Sequence, residues 1–323
     1  MASPNAIFTE LVSTTFRNHD KELRDNVSKH NALLRRLTAK GKVRIEDGGT
    51  SIVTPLDYAQ NGTYQRYSGY DTLNISASDV ISAAEYAWRQ VAVNVVASGL
   101  DLRNNAGEQR IINLTKARVN NAIRTFKNGM SGDLYSDGTA ANQIGGLQAI
   151  VADAGTGTVG GIDSSTFTFW KNKVQSAAAP LQGGAGITPS ATTMESLMLP
   201  LWLALTRGDD MPDLIVMDNT YFTYFEQSQT SIKRYNDKDS ADAGFVSLKY
   251  KGADVFFDGG SGISSAHGYF LNTDFLELVV HRDANMTVMD QRQSVNQDAV
   301  VIPVLWQGNL VTSNRSLQGV MKA

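Results

Sequence analysis

The stretch NAGEQRIINLTKARVNNAIRTFKNGMSGDLYSDGTAANQIGGL, residues 105–147, contains one long amphipathic helix followed by a glycine-containing turn. Apolar residues recur in it at spacings of 7, 4, 3 and 4, namely at Ile112, Val119, Ile123, Phe126 and Met130. This spacing places them on one side of a helix with about 3.6 residues per turn. We expect the helix over 105–132, ending at Gly129 or Gly132, with a length of roughly 35–40 Å. Because no catalytic cluster lies on it, the helix is interpreted as a structural spine.

The composition excludes several classes of protein. The chain has 323 residues, of which 42% are hydrophobic, enough for the cores of two or three domains. No window approaches about 18 consecutive apolar residues, so we predict no membrane-spanning helix. Residues 1–23 lack the order of a secretory signal. Cysteine is absent, which excludes disulfides, thiolate metal sites and a cysteine nucleophile and fits synthesis in a reducing cytoplasm.

Charge is distributed unevenly along the chain. The net charge is −3, so the whole chain is not expected to bind nucleic acid as a polycation. Between Arg17 and Arg44, however, nine lysines and arginines, including Arg35 and Arg36, face three acidic residues. This segment is either a basic arm that lies against nucleic acid or an acidic partner, or the solvated face of a helix over 23–37. Both interpretations stay open at this point.

Residues 41–80 are predicted to form an extended β loop. Val43 and Ile45 alternate with charged residues, a turn signal follows at 47–49, and 51–56 is a second β-prone run. Four of the 11 tyrosines fall within the next 13 residues, at positions Tyr58, Tyr64, Tyr67 and Tyr70. An isolated hairpin is marginal in water. The tyrosines therefore either pack on their own subunit or cover a partner's surface.

The rest of the chain mixes helices and strands without regular βαβ order, which favours an α+β fold. Val91, Val93 and Val95 lie on one face of a strand before the spine helix. Residues 136–192 are dense in glycine, and we expect a long, flexible loop there, anchored only at 166–174. A second domain is expected to begin near Thr192. Its expected helices are 194–206 and 220–229, and its expected strands are 213–217, 246–250, 253–257, 269–271, 275–281 continued by 286–289, 299–306 and 309–311.

No segment carries the signature of a catalytic or metal site. The four histidines, His19, His30, His267 and His281, share no metal-ligand spacing. Two acidic clusters, at 209–213 and 237–242, do not match a calcium loop and are interpreted as solvated loops. The glycine-rich 155–161 lacks the lysine and helix of a phosphate-binding loop, and no nucleophile elbow is present. We therefore predict no enzymatic activity, cofactor or metal.

In this order the segments resemble the major capsid proteins of tailed bacteriophages, which have the Hong Kong 97-type fold. The most specific part is the long helix followed by Ser-Asp-Gly-Thr at 136–139 and Gly-Gly-Leu at 145–147. The segment 49–70, with Pro55-Leu56 and Tyr67-Ser68-Gly69-Tyr70, is also similar, as are the strands at 213–217 and 274–290. The similarity covers the whole chain.

The resemblance implies an α+β architecture of four parts. These are an N-terminal arm (1–40), an extended β loop (41–80), a peripheral domain (81–144 and 274–312) with the spine helix, and an axial domain (145–273 and 313–323). It implies pentamers and hexamers that form the icosahedral head of a phage, assembled in the host cytoplasm. The shell would enclose double-stranded DNA without sequence-specific binding. The expected subunit contacts are Arg35, Arg36, Val43, Ile45, Tyr58, Tyr64, Tyr67 and Tyr70.

The resemblance also implies partners. Only about 40 residues precede the extended loop, so the resemblance implies either a separate scaffold protein or assembly through the arm itself, rather than a fused scaffold. A portal is a further expected partner, and some members of the family also bind a decoration protein. No motif marks a lysine–asparagine cross-link between subunits, and none is predicted. Two alternatives remain: an encapsulin-like compartment shell that encloses cargo enzymes, and a soluble hydrolase whose catalytic groups converge from distant positions.

Overall fold

The computed structural model describes residues 32–104, 114–229, 247–258, 262–293 and 296–323. The helices are α1 (Ala32–Ala39), α2 (Gly99–Asn104), α3 (Leu114–Asp133), α4 (Leu147–Ile150), α5 (Met194–Leu205) and α6 (Asn219–Ser228). The strands are β1 (Val43–Glu46), β2 (Ile52–Asp57), β3 (Ile81–Tyr86), β4 (Arg89–Ser98), β5 (Thr158–Val159), β6 (Ile162–Asp163), β7 (Lys173–Ser176), β8 (Leu214–Met217), β9 (Ser247–Tyr250), β10 (Ala253–Phe257), β11 (His267–Leu271), β12 (Leu276–His281), β13 (Thr287–Val288), β14 (Arg292–Gln293), β15 (Ala299–Thr312) and β16 (Gly319–Lys322). Within these ranges no helix is both long and apolar enough to cross a bilayer.

The first six-stranded sheet is built around β15. Its order is β1-β12-β15-β13, and β4 and β14 also pair with β15. The expectation of two strands at 299–306 and 309–311 is wrong, because β15 continues through Gly308 as one strand of 14 residues. A Cβ at Gly308 would lie 2.3 Å from the Val279 carbonyl oxygen, so glycine allows this close approach. The segment 286–289 does not continue β12 either: it forms β13, which pairs with β15.

The spine helix packs on this sheet as its apolar stripe predicts. Ala122, Phe126 and Met130 are buried, and the Phe126 ring lies 6.4 Å from the Trp306 ring on β15. The helix ends at Asp133, one residue past Gly132. Its expected beginning at 105–113 lies outside the described residues, and the preceding helix α2 ends at Asn104.

The second six-stranded sheet has the order β7-β16-β11-β8-β10-β9. Its central strand β8 is buried on both faces. Ile215 and Met217 share an apolar cluster with α5 and α6, whereas Leu214 and Val216 join a larger cluster with α3, β12 and β15. One continuous core therefore connects the two sheets. The expected helices of this half and the β9–β10 pair are confirmed, while β16 was not predicted.

The glycine-rich segment 136–192 is folded, so the expectation of a flexible loop with a single anchor is wrong. It contains α4, the β5–β6 hairpin and β7. The predicted anchor Trp170 is buried, and its indole N–H donates to the Val159 carbonyl oxygen at 3.0 Å. The second anchor is Arg315, which is fully buried and donates to the carbonyl oxygens of three residues and to one hydroxyl. These acceptors belong to Ile150, Thr156, Gly157 and Ser164.

Candidate subunit interface

The extended loop is a two-stranded hairpin with a pairing that differs from the expected one. β2 pairs with β3 in antiparallel register, from Ile52 opposite Tyr86 to Asp57 opposite Ile81. The segment 42–46 is not part of this hairpin. It forms β1, which pairs in parallel with β12 and places Val43 opposite Leu278. The turn signal at Gly48-Gly49, with φ of 143° and 115°, leads the chain from one sheet to the other instead of closing a hairpin.

The base of the hairpin is anchored on its own subunit. Ile52, Thr54 and Leu56 alternate with exposed residues on β2, and their side chains are buried. On β3 the Tyr86 hydroxyl donates to the Thr312 carbonyl oxygen at 2.9 Å. Burial raises the pKa of Tyr86 to about 12, although the backbone N–H of Thr312, which donates to the same hydroxyl oxygen at 3.3 Å, acts in the opposite direction. The base is therefore part of the subunit core.

The tip of the hairpin, residues 58–80, exposes apolar side chains. Tyr64 is 84% exposed, Tyr67 65% and Ile75 93%, and Tyr70 is fully exposed. Leu73, Val53 and Ile81 are also exposed. Val53 and Ile81 lie on the exposed face of the β2–β3 pair, so the apolar surface continues from the tip onto the strands.

Polar hydrogen bonds hold the tip in shape. The backbone N–H of Ser68 donates to the Asp71 carboxylate at 2.8 Å. The Gln65 side chain donates to the Thr72 carbonyl oxygen and accepts from the Asn74 N–H. The hydrogen bonds of the tip join residues that are close together in the sequence, whereas its aromatic rings are exposed to solvent. An exposed apolar surface of this kind is typical of a surface that binds another protein.

The other predicted interface residues lie elsewhere. Tyr58 packs on its own subunit, with its ring 5.7 Å from that of Phe169. Val43 packs against the core. Ile45 is 54% exposed on β1, the outermost strand of its sheet in the described part of the chain. The structure therefore brings together Tyr64, Tyr67 and Tyr70 and separates the rest from them.

The end of the predicted arm is docked on the subunit. Leu33 and Leu37 on α1 are buried in the core, so the expectation of a detached arm is wrong for residues 32–40. Arg36 lies 3.2 Å from the Asp254 carboxylate and over the Phe256 ring, while Arg35 lies on the exposed side of α1. Residues 1–31 are outside the described residues, including His19 and His30.

The acidic and histidine residues have structural contacts. Asp213 accepts from the Thr273 N–H at 2.8 Å and pairs with Lys40, which corrects its interpretation as part of a solvated loop. The two ring nitrogens of His267 lie 3.0 Å from the Asp153 carboxylate and 2.7 Å from the Ser265 carbonyl oxygen. The cluster at 237–242 lies outside the described residues. Among the residues that are described, no group of three or more acidic or histidine side chains could hold a metal ion.

A polar cleft of about 230 Å³ lies beside the base of the hairpin. It separates β3 and the β5–β6 turn from the turn that follows the spine helix. Its charged lining residues are Glu85, Arg89 and Asp137. Hydrogen bonds from Thr139 lower the pKa of Asp137. The cleft contains no nucleophile paired with a base.

Comparison with known proteins gives the fold. No protein-family description and no curated protein matches the sequence. A chain of the cyanophage A-1(L) capsid aligns with 95% of this chain and 96% of its own length, at a TM-score of 0.71 and 16% identity. The capsid of an empty GTA particle aligns over 99% of both chains, at a TM-score of 0.59 and 13% identity. A chain from the phage G structure of major capsid and decoration proteins covers 100% of this chain and 99% of its own, at a TM-score of 0.52 and 8% identity. The chain has the Hong Kong 97-type α+β capsid fold, as the sequence predicted.

Proposed function

We propose that this chain is a major capsid protein, copies of which assemble into the pentamers and hexamers of the icosahedral head of a tailed phage. The observation that carries the proposal is the exposed apolar tip of the hairpin, on a fold shared over almost its whole length with capsid subunits. A tip with this composition gains buried area only against another surface. Neighbouring copies supply that surface in a closed shell.

The parts of the subunit have different roles in this proposal. The first sheet and the spine helix form the peripheral domain, the second sheet with α5 and α6 forms the axial domain, and the hairpin extends to a neighbour. Tyr64, Tyr67 and Tyr70 are the aromatic anchors, with Ile45, Arg35 and Arg36 as further contacts. Obligate interfaces of this kind bury about 2,000 Å² or more, which suits a shell that holds packed DNA.

The charge of the chain fits the packaging of DNA. With a net charge of −3, the subunit does not form a general polycationic surface. A shell that released many counterions on binding DNA would hold it tightly and hinder both packaging and ejection. We infer that the shell encloses double-stranded DNA without reading its sequence, and that its role is structural, not enzymatic.

The proposal includes partners and a location. A separate scaffold protein guides assembly, a portal occupies one vertex, and a decoration protein binds the outer surface, as decoration proteins accompany the capsid proteins of phage G. The subunit is made in the host cytoplasm and resides in the virion. A compartment shell that encloses cargo enzymes is not favoured, because the similar structures named above are phage and GTA capsids.

Size measurement and electron microscopy test the proposal. The purified 35.0 kDa chain, alone and co-expressed with the scaffold candidate from the same genome, is expected to form capsomers, tubes or closed shells. Negative-stain images and light scattering would show particles of megadalton mass. A chain that stays monomeric under both conditions would overturn the proposal.

A further inference from the structure

The turn between β5 and β6 lies directly against the base of the hairpin. Gly160 and Gly161 form this two-residue turn with φ of 58° and 76°, values that match the turn type favoured in tight hairpins. The backbone N–H of Glu85 on β3 donates to the Gly160 carbonyl oxygen at 2.9 Å. The turn is therefore hydrogen-bonded to β3, the strand that follows the exposed tip.

The approach between the turn and β3 leaves no room for a side chain. A Cβ built at Gly160 would lie 2.7 Å from the Ala84 Cβ and 3.1 Å from the Tyr86 ring. A Cβ built at Gly161, the adjacent residue of the same turn, meets no atom within 4 Å. The two glycines therefore share a backbone conformation that L-residues rarely adopt, but only Gly160 is in contact with the hairpin.

The other contacts of β3 fix the end of the hairpin nearest the body of the subunit. A shift at Ala84 would therefore change the direction in which the hairpin extends. Glu85 and Tyr86 of β3 border the polar cleft, whose lining on the other elements includes Ile150, Val159 and Leu310. The bond from Tyr86 to Thr312 fixes the last residue of β3 to the body of the subunit. The hairpin is held by this bond and by the buried side chains of Ile52, Thr54 and Leu56 on β2, and the turn contacts β3 at Ala84, two residues before Tyr86.

We propose that Gly160 is a positioning residue for assembly: its lack of a side chain sets the angle at which the hairpin leaves the subunit. This inference rests on the proposed function. A Cβ at position 160 would displace Ala84 by about 1 Å to restore ordinary contact between carbon atoms. At about 3.3 Å per residue from the Tyr86 anchor, that displacement grows to about 2–3 Å at Ile81. It is larger still at Tyr64, Tyr67 and Tyr70, which would miss a neighbour's surface.

The test compares Gly160→Ala with Gly161→Ala in the full-length chain. Both substitutions introduce the same backbone strain, and Gly160→Ala adds the clash with Ala84 and Tyr86, so it should lower the melting temperature further than Gly161→Ala does. Only Gly160→Ala should impair assembly, with about a tenfold loss in the assembled fraction at fixed subunit concentration or shells of altered diameter. The double variant Gly160→Ala with Ala84→Gly removes the clashing methyl group and should restore most of the assembly, with Ala84→Gly alone as its reference.

The outcomes separate this inference from the proposed function. If the wild-type chain forms no particles, the proposed function fails. If the wild type assembles and Gly160→Ala forms normal shells as efficiently as Gly161→Ala does, the positioning role of Gly160 is overturned while the proposed function stands. A double variant that assembles no better than Gly160→Ala would likewise contradict the inference.

Discussion

Arg315 shows how one side chain can order a long segment. Its guanidinium enters the core after β15 and donates to backbone oxygens at 150, 156 and 157, the last of which also accepts from the N–H and the hydroxyl of Ser164. Burial lowers the pKa of Arg315 to about 10, so it stays charged at neutral pH. The planar, five-donor geometry of arginine suits this set of acceptors, and lysine cannot reproduce it.

We expect Arg315→Met to destabilise the subunit by about 3 kcal/mol or more, because several buried carbonyl oxygens would lose a donor. Equilibrium unfolding in urea measures this change. The control is Arg282→Met, which removes a solvent-exposed ion pair with Asp47. A similar small loss in both variants would show that Arg315 does not order the segment.

At the scale of elements, α1 and β1 form a strap that joins the two sheets. α1 packs beside the second six-stranded sheet through Leu33 and Leu37, and β1 then adds to the edge of the first. Ion pairs of Arg36 with Asp254, Lys40 with Asp213 and Lys42 with Asp274 lie along this strap. They differ in exposure: the Arg36–Asp254 pair is mostly buried, whereas Asp274 is largely exposed.

Asp254→Asn should therefore lower the free energy of unfolding by about 1–3 kcal/mol, because it removes a mostly buried carboxylate that pairs with Arg36. Asp274→Asn is the matched control and should change it by less than about 0.5 kcal/mol, since exposed pairs are weak. Urea titrations of both variants at low and high salt provide the comparison. Equal effects would contradict the view that the strap is held through the buried pair.

The hairpin tip permits a test that separates folding from assembly. The triple variant Tyr64→Ser, Tyr67→Ser and Tyr70→Ser removes exposed rings, so the melting temperature should stay within about 2 °C of the wild type. Assembly should fall by at least about tenfold, because the rings supply the interface anchors. Light scattering and thermal melting report the two quantities.

Tyr58→Ser is the contrasting variant for this experiment. Its ring packs on Phe169 within the same subunit. It should lower the stability of the monomer by about 1 kcal/mol through the lost ring contact. If the triple variant assembles normally, the tip is not the interface.

At the scale of the whole molecule, tyrosines are part of the packed core. Burial raises the pKa of Tyr86, Tyr221 and Tyr250 to about 12. For Tyr221 and Tyr250 the nearby carboxylates of Asp218 and Glu195 add to the effect of burial. These rings lie in both halves of the subunit, so ionisation of their hydroxyl groups would lower the stability of the whole folded subunit.

The sign of the pH dependence follows from the direction of these shifts. Above about pH 10 the unfolded chain ionises its tyrosines while the folded chain keeps these three protonated, so stability is constant below that pH and falls as pH rises toward 12. We expect a loss of roughly 1 kcal/mol per buried tyrosine at about pH 11. The lowered pKa of Arg315 acts in the opposite direction over the same range, but one group does not offset three.

Phenolate absorbance and circular dichroism recorded together would check this prediction. The three core tyrosines should ionise only as the secondary structure is lost. Replacing Tyr250 by Phe should reduce the slope of stability against pH above 10. An unchanged slope would contradict the assignment of Tyr250 to this group.

Helices and turns that depend on residues close together in the chain could be predicted from the sequence. The apolar stripe of the spine helix, the leucine spacing of α5 and the Lys251-Gly252 turn between β9 and β10 each depend on neighbours within a few turns or residues. Their order along the chain also indicated the capsid fold. The concentration of tyrosines near the hairpin tip was also visible in the sequence, but composition alone left open which of them pack on their own subunit, as Tyr58 does.

Contacts between segments that are far apart in the sequence could be identified only in the folded structure. Three sets of contacts join residues that lie far apart in the sequence: the parallel pairing of β1 with β12, the pairing of β2 with β3, and the contacts of Arg315. Val43 and Leu278, which pair in the first set, are 235 positions apart. Spacing in the sequence carries no record of such pairs, because several strands offer similar alternating surfaces and packing of the whole core selects among them. Gly160 belongs to this class: its turn was visible as Gly-Gly, but the clash that requires glycine exists only when β3 lies against it.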